Sequence, residues 1–213
     1  MKKMRPVVIV LCAILLVAAS VLGTVAYLTD DAEVVNTFTV GNVQITLDEA
    51  EVDAMGVPTG NDRTTTGNEY HLIPGVTYTK DPVMTVKSGS EESYVRMLVT
   101  VTHYDELTAI FGNPFLPEMF VSGWDSTKWI TTGVIAEDDA ANTATYEFRY
   151  FETVDPDAAD VVLPALFETF TIPGEVTGDE LATIADLEIS VEGHAIQAIG
   201  FADADAAWAV FTK

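Results

Sequence analysis

Three histidines are the first residues to consider for metal binding or proton transfer, because imidazole serves both roles. They are His71, His103 and His194, and they lie far apart in the chain. None belongs to an H-E-x-x-H pair or to another spacing typical of zinc sites. The alternation around His194 places it on one strand face with Glu188 and Glu192, which predicts a surface position. The histidines therefore predict neither a metal site nor a catalytic one.

Nucleophiles for covalent catalysis are not found in any recognisable arrangement. No G-x-S-x-G elbow occurs, and Ser88-Gly89-Ser90 falls between two predicted strands, where it indicates a loop. The only cysteine, Cys12, lies in an apolar N-terminal run. No glycine-rich phosphate loop is present. We therefore predict that the protein is not an enzyme and has no cofactor.

Carboxylates are abundant and partly clustered, at Glu137-Asp138-Asp139, at 152–160 and at Asp203/Asp205. None of the clusters matches a D-x-[DN]-x-[DN]-G-x5-E calcium loop, so weak adventitious calcium binding is the better interpretation. A carboxylate pair for glycoside hydrolysis is defined by its separation in space, and nothing in the sequence singles out such a pair. Most of the acids are expected on a solvated surface.

Trp124 and Trp129 lie close together around a Gly-Trp-Asp-Ser turn, in a segment rich in aromatic residues. The favoured interpretation is core packing beneath a long loop. The alternative is an exposed apolar patch, in which the two tryptophans form a candidate surface contact for a partner or a carbohydrate.

Short segments of alternating apolar and polar residues make up most of the rest of the chain. Strands are predicted at 37–47, 81–87, 94–102, 129–136, 143–151, 167–172 and 187–199. The segments on either side of EDDAANT predict a hairpin, and 53–68 predicts a Thr-rich loop. Short helices are predicted at 105–111, 177–184 and 203–211. Seven or eight short strands separated by turns indicate an all-β antiparallel sandwich.

The N-terminus has the order of a secretory signal peptide. Three basic residues within the first five positions precede an uncharged stretch that runs to Thr29, and Thr24-Val25-Ala26 is a candidate cleavage signal before Tyr27. The alternative is an uncleaved membrane helix within residues 7–28, since about 20 apolar residues span a bilayer. Cleavage is favoured, which predicts a signal peptide at 1–26 and a single sandwich domain at 27–213. In either case this domain is secreted, or lies at the cell surface or on a membrane anchor.

Charge separates these two parts of the chain. All 33 acidic residues lie beyond Ala26, whereas three of the ten basic residues lie before it. So acidic a domain repels nucleic acid and anionic membrane surfaces, which predicts no nucleic-acid partner and membrane contact only through residues 7–28. Because Cys12 would leave with the signal peptide, the exported domain would depend on a hydrophobic core rather than on disulfides.

Three stretches of sequence, taken in order, resemble one family. Residues 23–47 contain GTVAYLTDD followed by NTFTVGNVQITL, residues 72–101 read LIPGVTYTKDPVMTVKSGSEESYVRMLVTV, and residues 193–211 read GHAIQAIGFADADAAWAVF. Together they resemble the TasA/camelysin family of exported surface and biofilm-matrix proteins of Gram-positive bacteria. The resemblance implies a jelly-roll-like sandwich preceded by a signal peptide. It also implies cleavage between Ala26 and Tyr27 by a dedicated signal peptidase.

The resemblance further implies a mode of assembly. Family members include matrix fibre subunits in which the N-terminal segment of one subunit adds as a strand to the next. In this chain the donor segment would be 27–40, and its apolar side chains are Tyr27, Leu28, Val34, Val35 and Phe38. The alternative is that this segment folds back on its own domain as an edge strand. The sequence leaves both arrangements open.

The leading hypothesis is an exported, non-enzymatic surface or matrix protein that associates with itself or with another surface or matrix protein. One alternative is a surface metalloprotease, as camelysin is described, although the lack of a zinc motif argues against it. Another is a β-sandwich that binds a carbohydrate or a protein partner.

Overall fold

The computed structural model describes residues 42–112 and 114–212, and this part of the chain is mostly antiparallel β-sheet. The strands are β1 (Ile45–Val52), β2 (Pro58–Thr64), β3 (Thr77–Thr79), β4 (Val83–Val86), β5 (Ser93–Thr102), β6 (Val121–Ser122), β7 (Trp129–Asp138), β8 (Thr143–Tyr150), β9 (Val161–Val162), β10 (Thr169–Thr171) and β11 (Ile189–Gln197). The helices are α1 (Tyr104–Phe111), α2 (Gly178–Thr183) and α3 (Ala204–Val210), with a 3-10 turn at Pro117–Met119.

The chain divides into two units, and all the described residues belong to the second, Gly41–Lys213. The expected signal peptide or membrane helix and the candidate donor segment 27–40 lie outside the described residues. Within 42–112 and 114–212, no helix is both long enough and apolar enough to cross a membrane.

The strands pair in three sheets. The first has the order β2-β1-β4-β9, the second β11-β5-β8-β7, and the third, which is smaller, β3-β10-β6. β5 is the longest-paired strand, with β11 on one side and β8 on the other. Antiparallel pairing between strands that are distant in sequence is the arrangement expected of an all-β sandwich.

The inward face of β5 forms the centre of the hydrophobic core. Val95, Met97, Val99 and Val101 are buried, and the residues between them are half-buried. β5 is therefore fully covered on one face and partly covered on the other. A strand of this kind needs neighbours on both faces, and the first sheet supplies the inner one.

The first and second sheets approach closely where β11 carries Gly193. A Cβ atom at this position would lie 2.5 Å from the Cε atom of Met84, a fully buried residue of β4. The next nearest atoms belong to Ile45 and Leu47 of β1. The absence of a side chain at Gly193 therefore lets Met84 fill the space between the sheets, at the density typical of protein interiors.

Several predicted elements are confirmed. β7 and β8 form the hairpin around EDDAANT, with two bulges in β7, and the three short helices begin within a residue or two of the predicted positions. Thr177 caps α2 with a full capping box, and the side chain of Asp203 accepts a hydrogen bond from the Ala206 N–H at the start of α3. These features are local, so sequence patterns suffice to predict them.

The β1–β2 hairpin differs from the prediction. The first strand was expected at 37–47; residues 37–41 lie outside the described part of the chain, and within that part β1 begins at Ile45 and continues through LDEAEV to Val52. The segment 53–68 was expected to be a loop, but it contains β2, whose residues are almost all exposed. Asp48 and Glu49 of β1 are paired with Arg63 and Lys80, which are contacts that the local sequence does not reveal. β2 has no apolar periodicity because almost all of its residues are exposed.

We expect Gly56 to be indispensable for this hairpin. Its φ of 72° is a left-handed conformation, and a Cβ atom would lie 2.7 Å from the Cα atom of Tyr78. Gly56→Ala should therefore lower the free energy of unfolding by at least about 2 kcal/mol, measured by urea denaturation. Gly60→Ala is the matched control, because no atom lies within 4 Å of that position. Equal effects of the two substitutions would contradict this explanation.

Candidate functional site

The structure describes only some of the residues that the sequence marks as candidates. The cleavage pair and the candidate donor residues lie outside the described part of the chain; they are Ala26, Tyr27, Leu28, Val34, Val35 and Phe38. Cleavage and strand donation therefore stay predictions.

The two tryptophans belong to the core rather than to a surface patch. Trp129 is 0 % exposed, and its indole N–H donates to the carbonyl of Pro164 at 3.0 Å. Trp124 is half-buried, donates to the Trp129 carbonyl at 2.7 Å and contacts the ring of Phe148 edge-on. The hypothesis of a surface contact at Trp129 is wrong, because the segment folds inward under the loop that carries Pro164. The favoured interpretation of core packing is the one observed.

His194 is buried, whereas strand alternation predicted a surface position. It is only 7 % exposed, and its ring lies 4.7 Å from that of Phe211, the residue that follows α3. The prediction of a surface position is wrong because α3 packs over the outer face of β11, which strand alternation cannot anticipate. Among the described residues, no group of three or more His, Cys, Asp or Glu side chains is placed to hold a metal ion. The protease alternative stays a prediction, to be examined by metal analysis.

A cleft of about 830 Å³ opens beside β11, the edge strand of the second sheet. We call it the β11 cleft. Its walls come from β1, from the segment 64–70 and from the segment 185–191. The apolar residues that line it are Leu47, Leu72, Phe170, Leu187, Ile189 and Val191. Polar residues, among them Asp48, Thr65 and Glu188, also line it. An edge strand beside such a cleft offers unpaired backbone groups to an added chain segment, and the apolar lining residues offer it apolar contacts.

A buried polar group also lines this cleft. The Glu49 side chain, on β1, is 8 % exposed, and its Oε2 atom accepts a hydrogen bond from Lys80 Nζ at 2.7 Å. Its other oxygen, Oε1, accepts from Asn68 Nδ2 at 2.8 Å. We call Glu49, Asn68 and Lys80 the Glu49 triad. A buried carboxylate requires such partners, because removing it from water is otherwise strongly unfavourable.

Neighbouring groups hold the Glu49 triad in place. The Asn68 Oδ1 atom accepts from the Val52 N–H at 3.0 Å, and Nδ2 also donates to the Ala50 carbonyl at 2.9 Å. Tyr70 stands beside the triad and donates from its hydroxyl to the Thr79 carbonyl at 2.9 Å. Burial, and then the negative charge of Glu49, raise the pKa of Tyr70 well above its ordinary value. Tyr70 is therefore a neutral hydrogen-bond donor.

A second buried polar cluster lies on the outer face of the second sheet, beneath α3. Arg96 donates from Nη1 to Glu147 Oε1 at 2.8 Å and from Nε to His194 Nδ1 at 3.2 Å. Its guanidinium carbon lies 4.2 Å from the centre of the Trp208 ring and 5.1 Å from that of Phe211. Because an aromatic face attracts a cation, Arg96 holds the C-terminal helix against the sheet.

Glu147 is the centre of this cluster and is 2 % exposed. Burial by itself raises the pKa of Glu147, but the hydrogen bonds from Arg96 and Thr132 and the charge of Arg149 outweigh it, so the pKa lies below its ordinary value. Arg149 also bonds to Asp205 on α3. The carboxylate is thus fixed in its charged form, and both arginines depend on it.

Two of the stretches that carry the family resemblance meet here. The Y-V-R strand contributes Arg96, and the C-terminal stretch contributes His194, Trp208 and Phe211. Their contact has a structural explanation, which is the attachment of α3 to β5 and β11.

The buried charged residues were not predicted as a group. The positions of the few basic residues in the sequence could have indicated these clusters. Lys80 follows the short strand segment TYT, and Arg96 is the third residue of YVRMLVTVT, in a chain with only ten basic residues. A basic residue at such a position requires a buried acidic partner, but only the tertiary structure shows which acidic residue that is.

Comparisons of the chain with protein-family models, with curated proteins and with solved structures find no match. The TasA/camelysin resemblance therefore stays a prediction that rests on the quoted stretches alone.

We expect Glu147→Gln to destabilise the protein by about 3 kcal/mol at pH 7, because it leaves the half-buried Arg96 without a counter-charge and Arg149 with only the exposed Asp205. Since the pKa of Glu147 is lowered in the folded state, its contribution is present above the ordinary value of 4.5 and is lost as the pH falls through the folded value. The stability difference between wild type and variant should therefore shrink below about pH 4.5, measured by urea denaturation.

Asp205→Asn is the control for this experiment. The Asp205 side chain is 86 % exposed, so its loss should change stability by less than about 1 kcal/mol. A difference between wild type and Glu147→Gln that stayed constant from pH 7 to pH 3 would show that the charge of Glu147 is not what stabilises the cluster.

Proposed function

We propose that this chain is an exported, non-enzymatic structural protein of the cell surface or extracellular matrix, and that its copies associate by strand addition. In this proposal a dedicated signal peptidase cuts between Ala26 and Tyr27, and the jelly-roll-like domain that follows carries a free N-terminal segment. The observation that carries the proposal is the β11 cleft, an opening with both polar and apolar lining residues next to an edge strand.

The cleft has the properties that an added strand requires. β11 pairs with β5 through nine consecutive residues on one side, and this sheet ends at β11. Ile189 and Val191 of β11 line the cleft together with Leu47 of β1. An incoming strand could pair with the β11 backbone and place alternate apolar side chains between the sheets. In an extended donor segment, Leu28, Val34 and Phe38 would lie on one face and Tyr27 and Val35 on the other, so one of these two sets would supply those side chains.

This contact joins two different surfaces of the chain, which favours a filament. Because the donor segment and the cleft are different surfaces of one chain, each copy would donate to one neighbour and accept from another. A heterologous contact of this kind extends into an open chain of subunits unless its geometry closes a ring. The alternative is that segment 27–40 occupies an edge of its own domain, which would leave a stable monomer.

Electrostatics should oppose this association at low salt. The chain carries 33 acidic residues, and of the ten basic ones Arg63, Lys80, Lys87, Arg96 and Arg149 are paired with carboxylates inside the domain. Facing copies therefore repel each other, and screening by salt reduces that repulsion. We expect assembly to strengthen as ionic strength rises.

Strand addition can be tested with two variants, one unable to donate the strand and the other unable to accept it. A donor-defective protein carries Val35→Asp and Phe38→Asp, and an acceptor-defective protein carries Val191→Asp in the cleft. We expect the unmodified protein starting at Tyr27 to form filaments in electron micrographs, and each defective protein to stay monomeric. Mixed in equal amounts, the two should form dimers, because only one intact donor and one intact acceptor meet.

Val162→Asp is the matched control for the acceptor variant. Val162 is 66 % exposed on β9, at the edge of the other large sheet, so this substitution should leave filaments unchanged. A monomeric product at high protein concentration, at every salt concentration and pH examined, would rule out the assembly proposal. If the donor substitutions instead lowered the free energy of unfolding of a monomer, the segment would belong to its own domain.

A further inference from the structure

The Glu49 triad brings together three groups that can react with one another. Lys80 provides a primary amine, Asn68 a carboxamide, and Glu49 a carboxyl group that contacts both through its two oxygens, at 2.7 and 2.8 Å. Glu49 and Lys80 are among the few buried charged residues of the described chain, at 6 % and 7 % exposure. An ion pair held this far from water carries a desolvation cost.

We propose that Lys80 and Asn68 form an intramolecular isopeptide bond, with Glu49 as the proton-transfer group. The amine nitrogen Nζ is the nucleophile, and the amide carbon Cγ of Asn68 is the electrophile. This inference does not depend on filament formation or on export, because all three groups belong to the same folded domain.

The first step is proton transfer within the buried pair. The Lys80 ammonium gives a proton to Glu49 Oε2, which leaves a neutral amine and a neutral carboxyl group. Neither product of this transfer carries a charge. The free lone pair on Nζ is what makes the amine nucleophilic.

The second step is attack on the amide. Nζ forms a bond to Asn68 Cγ, and the electrons of the carbonyl double bond move onto Oδ1. The Val52 N–H, 3.0 Å from Oδ1, stabilises the negative charge that develops there. Backbone N–H donors play this role in many oxyanion holes of acyl-transfer enzymes.

The third step releases ammonia. The carboxyl group of Glu49 gives a proton to Nδ2 and receives one from Nζ, which its two oxygens can do because each contacts one nitrogen. The carbonyl re-forms, and the Cγ–Nδ2 bond breaks with its electron pair on nitrogen. One C–N bond forms and one breaks, no oxidant is needed, and Glu49 stays protonated. Two opposite charges have then left the interior.

The covalent bond would strengthen a wall of the β11 cleft. Asn68 lies in the segment that follows β2, and Lys80 directly follows β3. Joining them closes a short loop and limits the conformations of the unfolded chain, as a disulfide does. The chain has a single cysteine, Cys12, so an internal disulfide is not open to it. An isopeptide bond would provide the same constraint without any redox requirement.

Peptide mapping of the full chain tests the proposal directly. Trypsin cleaves after Arg63, Lys80 and Lys87, so an unmodified chain yields the peptides 64–80 and 81–87. An isopeptide bond blocks cleavage at Lys80, because its amine is no longer free. We expect a single peptide spanning 64–87, lighter by one ammonia molecule, with no backbone fragments from inside the 68–80 ring in tandem mass spectrometry.

Three variants separate this reaction from other losses of ammonia. Lys80→Arg retains the charge but is not nucleophilic, and Glu49→Gln retains the shape but does not transfer protons; we expect the cross-linked peptide to be lost in both. Asn68→Asp should give a cross-linked peptide of the same mass as wild type, because it loses water where asparagine loses ammonia. Circular dichroism on each variant shows that it folds.

Two results would overturn the proposal. One is recovery of peptide 64–80 from the wild-type chain at its full mass as the main species. The other is peptide 64–80 lighter by ammonia but still cleaved at Lys80, which indicates a succinimide between Asn68 and Glu69 instead of a bond to lysine. Cross-linking that persisted undiminished in a folded Glu49→Gln protein would remove Glu49 from the mechanism.

Discussion

Two buried glutamates, Glu49 and Glu147, impose the constraint on which the rest of the structure depends. A carboxylate inside a protein is tolerated only when cations and hydrogen-bond donors surround it. This chain has few cations to use for that purpose. Lys80 serves Glu49, and Arg96 and Arg149 serve Glu147. The strands that carry these residues must therefore come together in one register.

Each buried carboxylate joins elements that are far apart in sequence. Glu49 on β1 joins the segment before β3 to the residue after it, through Asn68 and Lys80. Glu147 on β8 holds Arg96 on β5, which in turn packs against Trp208 on α3. The polar clusters thus do at two places what disulfides do in many exported domains. They fix the relative positions of strands and of the C-terminal helix.

Because Lys80, Arg96 and Arg149 pair with buried carboxylates, few basic residues remain to balance the acidic residues on the outer surface. Such a surface keeps copies of the protein apart unless a specific contact outweighs the repulsion. The β11 cleft offers a contact of this kind, because backbone pairing and burial of apolar side chains do not depend on charge. The Glu49 triad lies in the wall of the same cleft. Stability at the triad and association at the cleft are consequently properties of one region of the domain.

The sequence by itself determined the features that depend on near neighbours in the chain. Alternation predicted β5 and the β7–β8 hairpin, and capping residues predicted α2 and α3, because these signals act within a few residues. It did not predict β2, the end of β1, the burial of His194 or the partners of Glu49 and Glu147. Those were decided only in the tertiary structure, because they depend on which charges and surfaces meet across the fold. A carboxylate on a strand has the same local pattern whether it faces water or a lysine, and only the packing of distant segments distinguishes the two.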